Sequence, residues 1–544
     1  MKHTIYSFLL GSMVALSSCS DLMDEKHDNP DAFTSTEIEY LFAKGAQQTL
    51  EINYADTYNY NFRCLGTYLQ TTARQEGENR NTLYQNIQDD LGRWNNYYVT
   101  RMNTLTEIDK IYATLSDEEQ KSYQQYYEAG KILKAFNTAM ATDFFGNMPY
   151  TEAFTARNVI YGGTVIYRPK YDTQKDIYYM ILDDLKEAAA YFKTATTNET
   201  FNRQDIVYNG DCNGWYKFAN SLRVRYAMRI SNVDPDKAKS VLSEISLDQL
   251  ITSNSDNADI TVSGQDVAPD ALWRAMRESH SSSQGFYMYA PEKMVNMFKE
   301  ANDPRLYVLY QPATDDDGNV YEGATEIIGY PASADDAINL INEYNGKPAS
   351  DPTKIPLREV YGCLNTVTFR NNYQFPSGIG MTAADTYFCL AEAAHRGLFN
   401  GNAEEFYNKG ILLSVQNYYG YYKNSDATEG KDETIANTDV SDATLSSWLA
   451  TSPYKFDASK ALEQIATQKW MHFNFVQIYE NWAEYRRTDL PILDDDRQSG
   501  TLLNKENAPV RFLYPAIEAS MNTENYNAQS EYNKIDARLW WDVK

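Results

Sequence analysis

Apolar residues recur at helical spacing through most of this chain, and this periodicity limits its fold more than any other feature. The clearest stretch is residues 172–192, where one face carries Ile177, Ile181, Leu185, Ala188 and Phe192. Asp172 and Thr173 stand at its start as N-cap candidates. Similar stretches occur at about 36–53, 90–114, 118–143, 214–231, 383–396, 403–419 and 457–487. We therefore predict an all-α-dominated fold.

Residues 382–410 fit the pattern of a tetratricopeptide-like helix pair. Thr382 and Asp385 match a capping box, and Gly397 suits a C-terminal cap. The repeat positions are filled by Tyr387, Leu390, Ala391, Ala403, Tyr407 and Gly410. Ala394 replaces the usual tyrosine, and the closing proline of the repeat is missing. Several helix pairs of this kind would form a solenoid-like scaffold.

The helical stretches follow one another without a Pro/Gly/Ser-rich linker, so we predict a single domain over residues 36–544. Residues at about 250–380 have a different sequence pattern, with short apolar runs and turn signals such as Asp317-Gly318-Asn319. We expect a loop-rich insertion there, with a few short strands. Long loops on a rigid scaffold commonly carry binding residues.

The N-terminal residues 1–18 have the features of a secretory signal peptide, since a basic start precedes a mostly apolar run over residues 5–16. That run is too short to cross a hydrocarbon core of roughly 30 Å as a helix. It ends in LSSC, which is similar to a bacterial lipobox, so we predict a covalent lipid on Cys19. An ordinary cleaved signal with an incidental cysteine is the alternative. Residues 19–35 are polar and acidic, and we expect them to form a flexible tether.

Acidic residues outnumber basic ones, 75 to 49, and give a formal net charge of −26. Nucleic acid and anionic lipid are therefore poor partners, because both are bound through clustered lysine and arginine. Beyond Cys19, the cysteines are Cys64, Cys212, Cys363 and Cys389, with no CxxC pair. In an exported protein they could form one or two disulfides or remain buried thiols, and their spacing leaves both alternatives open.

The sequence carries no recognised catalytic motif. The histidines beyond the signal are His27, His280, His395 and His472, and no HExxH, GxSxG or Cys-His metal spacing occurs. Residues 378–383 formally fit a dinucleotide fingerprint, but the residues before them do not have the pattern of a buried parallel strand. We therefore predict a non-enzyme without a cofactor. A glycoside hydrolase is the catalytic alternative, because two carboxylates about 5 to 9 Å apart would suffice.

Two acidic clusters offer the oxygen ligands that calcium prefers: DDDGN at 315–319 and DDD at 494–496. Neither shows the alternating ligands and the position-twelve glutamate of an EF-hand loop, so solvated turns are the favoured interpretation. Structural calcium held by Asp315 and Asp317 is the alternative.

Aromatic residues are abundant, with 44 Tyr and 8 Trp. Aromatic faces beside amides and carboxylates suit sugars, which present apolar C–H faces and hydroxyl edges. We place the ligand surface on exposed loops of the insertion, at Trp273, Arg274, His280, Phe286, Tyr287, Tyr289, Tyr330, Tyr373 and Gln374. An alternative surface comprises Arg80, Asn81, Tyr84, Asn86 and Trp94. Trp94 with Tyr97 and Tyr98 could instead form the packed face of the following helix.

Several stretches resemble the SusD/RagB-like outer-membrane lipoproteins, and among these the SusD-like 2 branch. In chain order they are FFGNMPYTEA (144–153), PKYD (169–172), WYKFANSLR (215–223), NDPR (302–305), QKW (468–470), WAEYRR (482–487), RFLYP (511–515) and NY (525–526). Their order and spacing run through nearly the whole mature chain. We expect most of them to build the scaffold, with core packing rather than ligand contact as the role of Trp215, Trp470 and Trp482.

The resemblance implies an α-helical fold of tetratricopeptide-like helix pairs, exposure on the cell surface at the outer membrane, and partnership with a SusC-like TonB-dependent transporter. Members of the family resemble a lid over that barrel and bind glycans, or in some cases peptides, without cleaving them. Asp21, Asp24 and Glu25 behind Cys19 look like the family's surface-export signal. We therefore expect a non-catalytic nutrient-binding lipoprotein whose ligand is a glycan, with a peptide as the alternative.

Overall fold

The computed structural model describes residues 37–52, 56–74, 91–261, 272–278, 288–315, 317–332, 359–370, 372–494, 496–498, 501–503 and 509–543. The signal peptide, Cys19 and the tether lie outside these residues. Helices dominate the described chain, as the periodicity predicted. Within it, no helix combines the length and the apolarity that a membrane span requires.

The α-helices are α1 (Ile38–Leu50), α2 (Leu65–Tyr68), α3 (Leu91–Asn95), α4 (Met102–Tyr112), α5 (Asp117–Phe145), α6 (Gln174–Phe192), α7 (Glu199–Gln204), α8 (Cys212–Ile230), α9 (Pro235–Leu242), α10 (Leu272–Glu278), α11 (Glu292–Ala301), α12 (Leu306–Leu309), α13 (Ala383–His395), α14 (Ala403–Lys423), α15 (Glu433–Ala436), α16 (Asp442–Leu449), α17 (Ala461–Phe473), α18 (Ile478–Thr488), α19 (Ala516–Met521) and α20 (Thr523–Asn527). Short 3-10 turns occur at Ala156–Tyr161, Leu247–Gln249, Asn254–Asp256 and Ala458–Lys460. Stretches of π-helix occur at Thr57–Cys64, Asn96–Arg101 and Thr366–Arg370.

The strands are short and pair antiparallel. They are β1 (Ala73–Arg74), β2 (Ala258–Ile260), β3 (Met288–Tyr289), β4 (Tyr310–Gln311), β5 (Cys363–Leu364), β6 (Gly378–Met381), β7 (Asp496–Gln498) and β8 (Thr501–Leu503). One sheet has the order β1-β3-β5-β4, while β2 pairs with β6 and β7 with β8. The expected few short strands are therefore present.

The helical stretches predicted from periodicity are all present, with one correction. Residues 457–487 form two helices rather than one, because Asn474 adopts φ +47° and ends α17. Its side-chain Oδ1 accepts the N–H of Phe475 at 2.8 Å, which fixes the break. The region at about 250–380 also contains the helix α11, which the sequence interpretation missed. Its buried face consists of Met294, Val295, Phe298 and Ala301.

Local capping explains where α6 begins. Thr173 Oγ1 accepts the N–H of Asp176 at 3.1 Å, so Thr173 is the N-cap. Asp172, the other candidate, accepts the N–H groups of Tyr150 and Thr151 at 2.9 and 2.8 Å instead. Its carboxylate therefore ties the turn after α5 to the start of α6.

The predicted tetratricopeptide-like pair is formed by α13 and α14. Thr382 Oγ1 accepts the N–H of Asp385 at 3.2 Å, and Gly397 adopts φ +68° just after α13. Gly410 is a required small position, because a Cβ there would lie 2.6 Å from Cε1 of Phe388. The two helices can pack closely only without that side chain.

The core runs between the helices, and it contains the tryptophans that the sequence assigned to packing. Trp215, Trp470 and Trp482 are fully buried, which confirms their expected role. Trp470 Nε1 donates to the carbonyl of Leu69 at 2.8 Å, so its one polar atom is satisfied. Cys212, Cys363 and Cys389 are buried free thiols, whereas the side chain of Cys64 lies outside the described residues.

A buried charge network joins α8, α13, α17 and α18. Glu484 accepts from Lys469 and from Arg487 at 2.8 Å each, and Arg487 also binds Glu392 at 2.5 Å. Arg229 approaches Glu484 at 3.3 Å. Burial acts to raise the pKa of Glu484, but the cations of Arg487, Lys469 and Arg229 hold that pKa well below its usual range. Removing one member of such a buried set typically costs about 3 to 5 kcal/mol.

Candidate functional site

Strands β1 and β3 of the four-stranded sheet adjoin, along the chain, two segments that carry sequence-predicted ligand residues. Strands β1 and β3 pair so that Ala73 faces Tyr289 and Arg74 faces Met288. The chain leaves β1 toward Arg80, Asn81, Tyr84 and Asn86, and it enters β3 from His280, Phe286 and Tyr287. These seven residues lie outside the described chain. The described strands β1 and β3, which adjoin these two segments along the chain, are hydrogen-bonded neighbours.

We call this part of the molecule the sheet end. It comprises β1, β3, β4 and β5, the turn at residues 314–320, Tyr330 and Tyr361, the π-helix Thr366–Arg370 with the following Tyr373 and Gln374, and helix α10, which packs against the π-helix. Two of the predicted ligand residues, Tyr289 and Tyr330, lie inside it and not on an exposed loop.

Tyr289 and Tyr330 form the centre of a small aromatic cluster. Their rings stack with centroids 4.7 Å apart at an angle of 7°, and Tyr361 meets Tyr330 edge-on at 4.9 Å. Tyr289 and Tyr330 are 0% and 1% exposed. The expectation that these rings lie on an exposed surface is therefore wrong, because each ring covers the face of the other. Together with Tyr361, these rings pack against the strand residues Ala73 and Cys363.

The π-helix Thr366–Arg370 organises the other described candidates. Asn365 Oδ1 accepts the N–H groups of Val367 and Thr368 at 2.9 and 3.0 Å, which caps the turn. Helix α10, which carries Trp273 and Arg274, packs against it. Arg274 is half-buried, and the side chain of Trp273 lies outside the described residues.

Tyr373 and Gln374 follow directly after the same π-helix. The N–H of Tyr373 donates to Asp426 Oδ1 at 2.8 Å, which fixes this backbone against the end of α14. Tyr373 is half-buried and Gln374 is exposed. Three described members of the predicted site therefore keep exposed surface and adjoin the π-helix Thr366–Arg370. They are Arg274, Tyr373 and Gln374.

The acidic turn that offered a calcium alternative packs on this element too. Asp315 accepts the N–H groups of Asp317 and Asn319 at 2.9 Å each, and Asn319 Nδ2 at 3.1 Å. Slight burial acts to raise the pKa of Asp315, but the hydrogen bonds from Asn319 and Asp317 lower it overall. No group of three or more metal-ligating side chains converges among the described residues. The carboxylate oxygens of Asp315 are therefore engaged within the turn itself.

The guanidinium of Arg370 lies against this turn. Gly318, at φ +91°, brings the turn's backbone against the Arg370 guanidinium. Burial lowers the pKa of Arg370, while the negative charges of Asp317 and Asp315 act in the opposite direction. A guanidinium in this position can donate to hydroxyl or carbonyl oxygens of a neutral ligand.

Trp94, from the alternative surface, belongs to the main core. Its ring lies 4.7 Å from Tyr98 and 5.0 Å from Phe145, centroid to centroid. It is buried, as is Tyr97. The interpretation of these aromatics as a packed helix face is confirmed, and the placement of Trp94 on a ligand surface is wrong because its ring faces are covered.

Of the described histidines, His472 occupies a structural position in the core. His472 lies between Thr382 Oγ1 at 2.7 Å and Ser414 Oγ at 3.0 Å, and burial lowers its pKa to about 3. A group so buried remains neutral near pH 7 and meets no solvent. His395 lies in the last turn of α13. His27 and His280 are outside the described residues.

Sequence reasoning missed a small, partly open cavity of about 70 Å³ between α1, α5, α8 and β6. Its charged lining consists of Glu51, Asp56, Arg101, Asp143, Arg225 and Glu480. Burial raises the pKa of Glu51. Ligand pockets usually measure about 300 to 1,000 Å³, so this space suits a few waters and not an oligosaccharide. No local sequence signal marks it, because its walls come from distant segments.

Comparison with known proteins adds two findings. Residues 30–515 match the model of the SusD-like 2 family, which is described as starch-binding associating with the outer membrane. No curated protein sequence matches the chain.

Solved structures share the fold. A Bacteroidetes SusD-like protein is 24% identical with a TM-score of 0.67, over 94% of this chain and 100% of its own. A SusD homologue from Bacteroides uniformis is 22% identical with a TM-score of 0.68, over 93% and 99%. A chitin-binding SusD homologue from Flavobacterium johnsoniae is 21% identical with a TM-score of 0.66, over 94% and 99%.

Proposed function

The chain belongs to the SusD-like 2 family, and from this we propose that it is a non-catalytic surface lipoprotein that captures a glycan for a TonB-dependent transporter. The observation that carries the proposal is the family match over residues 30–515. A peptide-binding protein with the same transport role is the alternative, and a surface glycoside hydrolase ranks below it.

The glycan assignment has two supports. The family description names starch, and one related structure is of a chitin-binding homologue. The sheet end combines an exposed amide, a half-buried phenol and a guanidinium at Gln374, Tyr373 and Arg274. Such groups match the hydroxyl edges and apolar faces of sugars, and a neutral sugar is not repelled by a net charge of −26.

We place the ligand surface at the sheet end. Arg274, Tyr373 and Gln374 are its described members. Trp273 remains a proposed ligand contact, because its helix α10 packs against the π-helix. Tyr289 and Tyr330 are buried and support the strands instead of contacting the ligand. The remaining proposed contacts fall on segments that adjoin β1 and β3 and lie outside the described residues: Arg80, Asn81, Tyr84, Asn86, His280, Phe286 and Tyr287.

The membrane assignment rests on the N-terminal sequence and on the family. A lipid on Cys19 would hold the protein at the outer membrane, and several acyl chains are needed because a single chain binds reversibly. Replacing Cys19 with Ala should release the protein from membrane fractions. Equal membrane retention of the C19A variant would show that the anchor lies elsewhere.

The function is tested with the purified full chain in detergent, titrated with starch and chitin oligosaccharides and with peptides. Affinity is recorded by calorimetry, and product formation by chromatography of the same samples. Glycan binding without turnover is the expected result. Turnover by the pure protein would overturn the non-catalytic assignment, and selective peptide binding would overturn the glycan assignment while leaving the transport role.

A further inference from the structure

The loop at residues 155–167 carries several large apolar side chains that are exposed to solvent. Val159, Ile160 and Tyr167 are 68%, 62% and 85% exposed, and Ile166 is also exposed. The four side chains lie within nine residues of one another in sequence. Hydrogen bonds between residues 155 and 166 and between residues 158 and 164 hold the two arms of the loop together, so these side chains share one small part of the surface. Exposed apolar patches usually mark contact sites.

This loop is closed and internally bonded. Thr155 Oγ1 accepts the N–H of Ile166 at 2.8 Å, which joins the two ends of the loop. Asn158 Nδ2 donates to the carbonyl of Thr164 at 3.0 Å, and Gly162 adopts φ +74° at the tip. The apolar side chains are therefore presented by a backbone of defined shape.

The loop is also fastened to α4. Glu107 accepts from Arg157 Nε at 2.8 Å and from the Tyr161 hydroxyl at 2.5 Å. Lys110 Nζ donates to the carbonyl of Phe154 at 2.6 Å. A surface held in its binding conformation loses little entropy on association, so this fastening favours a docking role over a flexible linker role.

The loop lies at the end of the molecule from which the tether departs. Helix α1 runs antiparallel to α4, because Thr104 bonds Gln48 at 2.8 Å and Leu105 packs against Gly45. At 1.5 Å per residue, Ile38 is therefore roughly 10 Å further toward the C-terminal end of α4 than Gly45. Glu107, at the middle of α4, and Lys110, in its last turn, hold the loop along the same half of α4.

We propose that the 155–167 loop docks on the membrane-embedded transporter, an inference that rests on the proposed function. The chain that precedes Ile38 leads to the proposed anchor at Cys19, so this end of the molecule faces the membrane and what is embedded in it. The net charge of −26 argues against a lipid surface as the occupant. Tyrosine and arginine, here Tyr167 and the exposed Arg157 and Arg168, are enriched at protein interfaces.

The test compares two matched double variants of the full chain in its native host. Ile160→Ser with Tyr167→Ser alters the loop. Ile492→Ser with Tyr307→Ser removes the same residue types at exposed positions elsewhere, which are 72% and 54% exposed. After gentle detergent extraction, the barrel that copurifies is quantified by mass spectrometry. We expect at least a tenfold loss of barrel for the loop variant and no loss for the control, with melting temperature and oligosaccharide affinity unchanged in both.

The outcomes separate the inference from the function. A loop variant that retains its barrel overturns the docking surface and leaves the transport role intact. A wild-type chain that recovers no barrel overturns the transport role, and the inference with it. Loss of a homodimer in the loop variant would identify a second copy of the chain as the occupant, and weaker binding of the loop variant to protein-free lipid vesicles would identify a lipid surface. Either result would overturn the proposal. A photo-crosslinker at position 167 should attach to the barrel itself.

Discussion

The helical scaffold and the sheet end are held together in different ways. In the scaffold, large side chains such as Trp470 are enclosed, and Glu484, Lys469 and Arg487 satisfy one another's charges in the interior. In the sheet end, the strands are two residues long, and side chains brace the backbone between them. Gln311 Oε1, for example, accepts the N–H of Thr366 at 3.0 Å.

This difference separates stability from recognition. Dense packing and paired charges make the scaffold the region that contributes most to the free energy of unfolding. Local unfolding occurs more readily in regions with fewer buried contacts. Binding residues are commonly carried by such connecting segments on a rigid support. Substitutions in the scaffold should therefore act on unfolding, and substitutions at exposed positions of the sheet end should act on ligand affinity.

The largest effect is expected for Trp470→Ala. This substitution removes a fully buried ring and leaves the Leu69 carbonyl without its partner, so we expect a loss of about 3 to 5 kcal/mol in unfolding free energy. Urea denaturation followed by circular dichroism measures it. Val99→Ala, at an exposed position, is the control and should change the free energy by less than about 0.5 kcal/mol. Equal effects of the two would show that the buried Trp470 ring contributes no more to stability than an exposed side chain of the same scaffold.

Glu484→Gln should produce the next largest effect, and it should depend on pH. The pKa of Glu484 lies well below its ordinary value of 4.5 in the folded protein, so its stabilisation is present above that value and is lost as pH falls below it. We expect the variant to lose about 3 to 5 kcal/mol near pH 7. Between pH 5 and about 3, its stability should fall less steeply than that of the wild type. Parallel pH profiles would contradict this account.

Much of the scaffold could be predicted because helical periodicity is a local property. The pattern at residues 172–192 depends only on neighbours along the chain, and α6 matches it. The helix α11 also had such a pattern, at Met294, Val295, Phe298 and Ala301, and could have been found. The break at Asn474 could not, because its positive φ is held by contacts such as the bond from its Nδ2 to the Tyr310 hydroxyl at 3.3 Å.

The arrangement of the sheet end could not be predicted from local pattern. Tyr289 stands after a Ser/Gly-rich stretch, which favoured an exposed loop, yet Tyr330 and Tyr361 from distant segments bury it. The pairing of Ala73 with Tyr289 likewise joins residues far apart in sequence. Strands of two residues carry too little alternation to specify such a register.

Tyr373→Ala and Gln374→Ala test whether the sheet end carries recognition. Both positions keep exposed surface, so we expect each substitution to weaken oligosaccharide binding by about 1 to 2 kcal/mol, roughly 5- to 30-fold. The urea midpoint should hardly move, because exposed positions contribute little stability. Tyr307→Ala is the matched control. Unchanged affinity in both variants, or a loss that follows unfolding, would remove these residues from the ligand surface.

The smallest effects come from two glycines, one in each region, and they compare the regions most directly. Gly397 closes α13 at φ +68° with open space around it, whereas Gly318 has φ +91° and faces the Arg370 guanidinium. Alanine at either position should cost about 1 kcal/mol through backbone strain. Only Gly318→Ala must also displace Arg370, so it alone should lower oligosaccharide affinity in calorimetry. An equal loss of affinity in Gly397→Ala would contradict this comparison. It would show that a change in the scaffold, far from the ligand surface, alters ligand binding as much as a change in the sheet end.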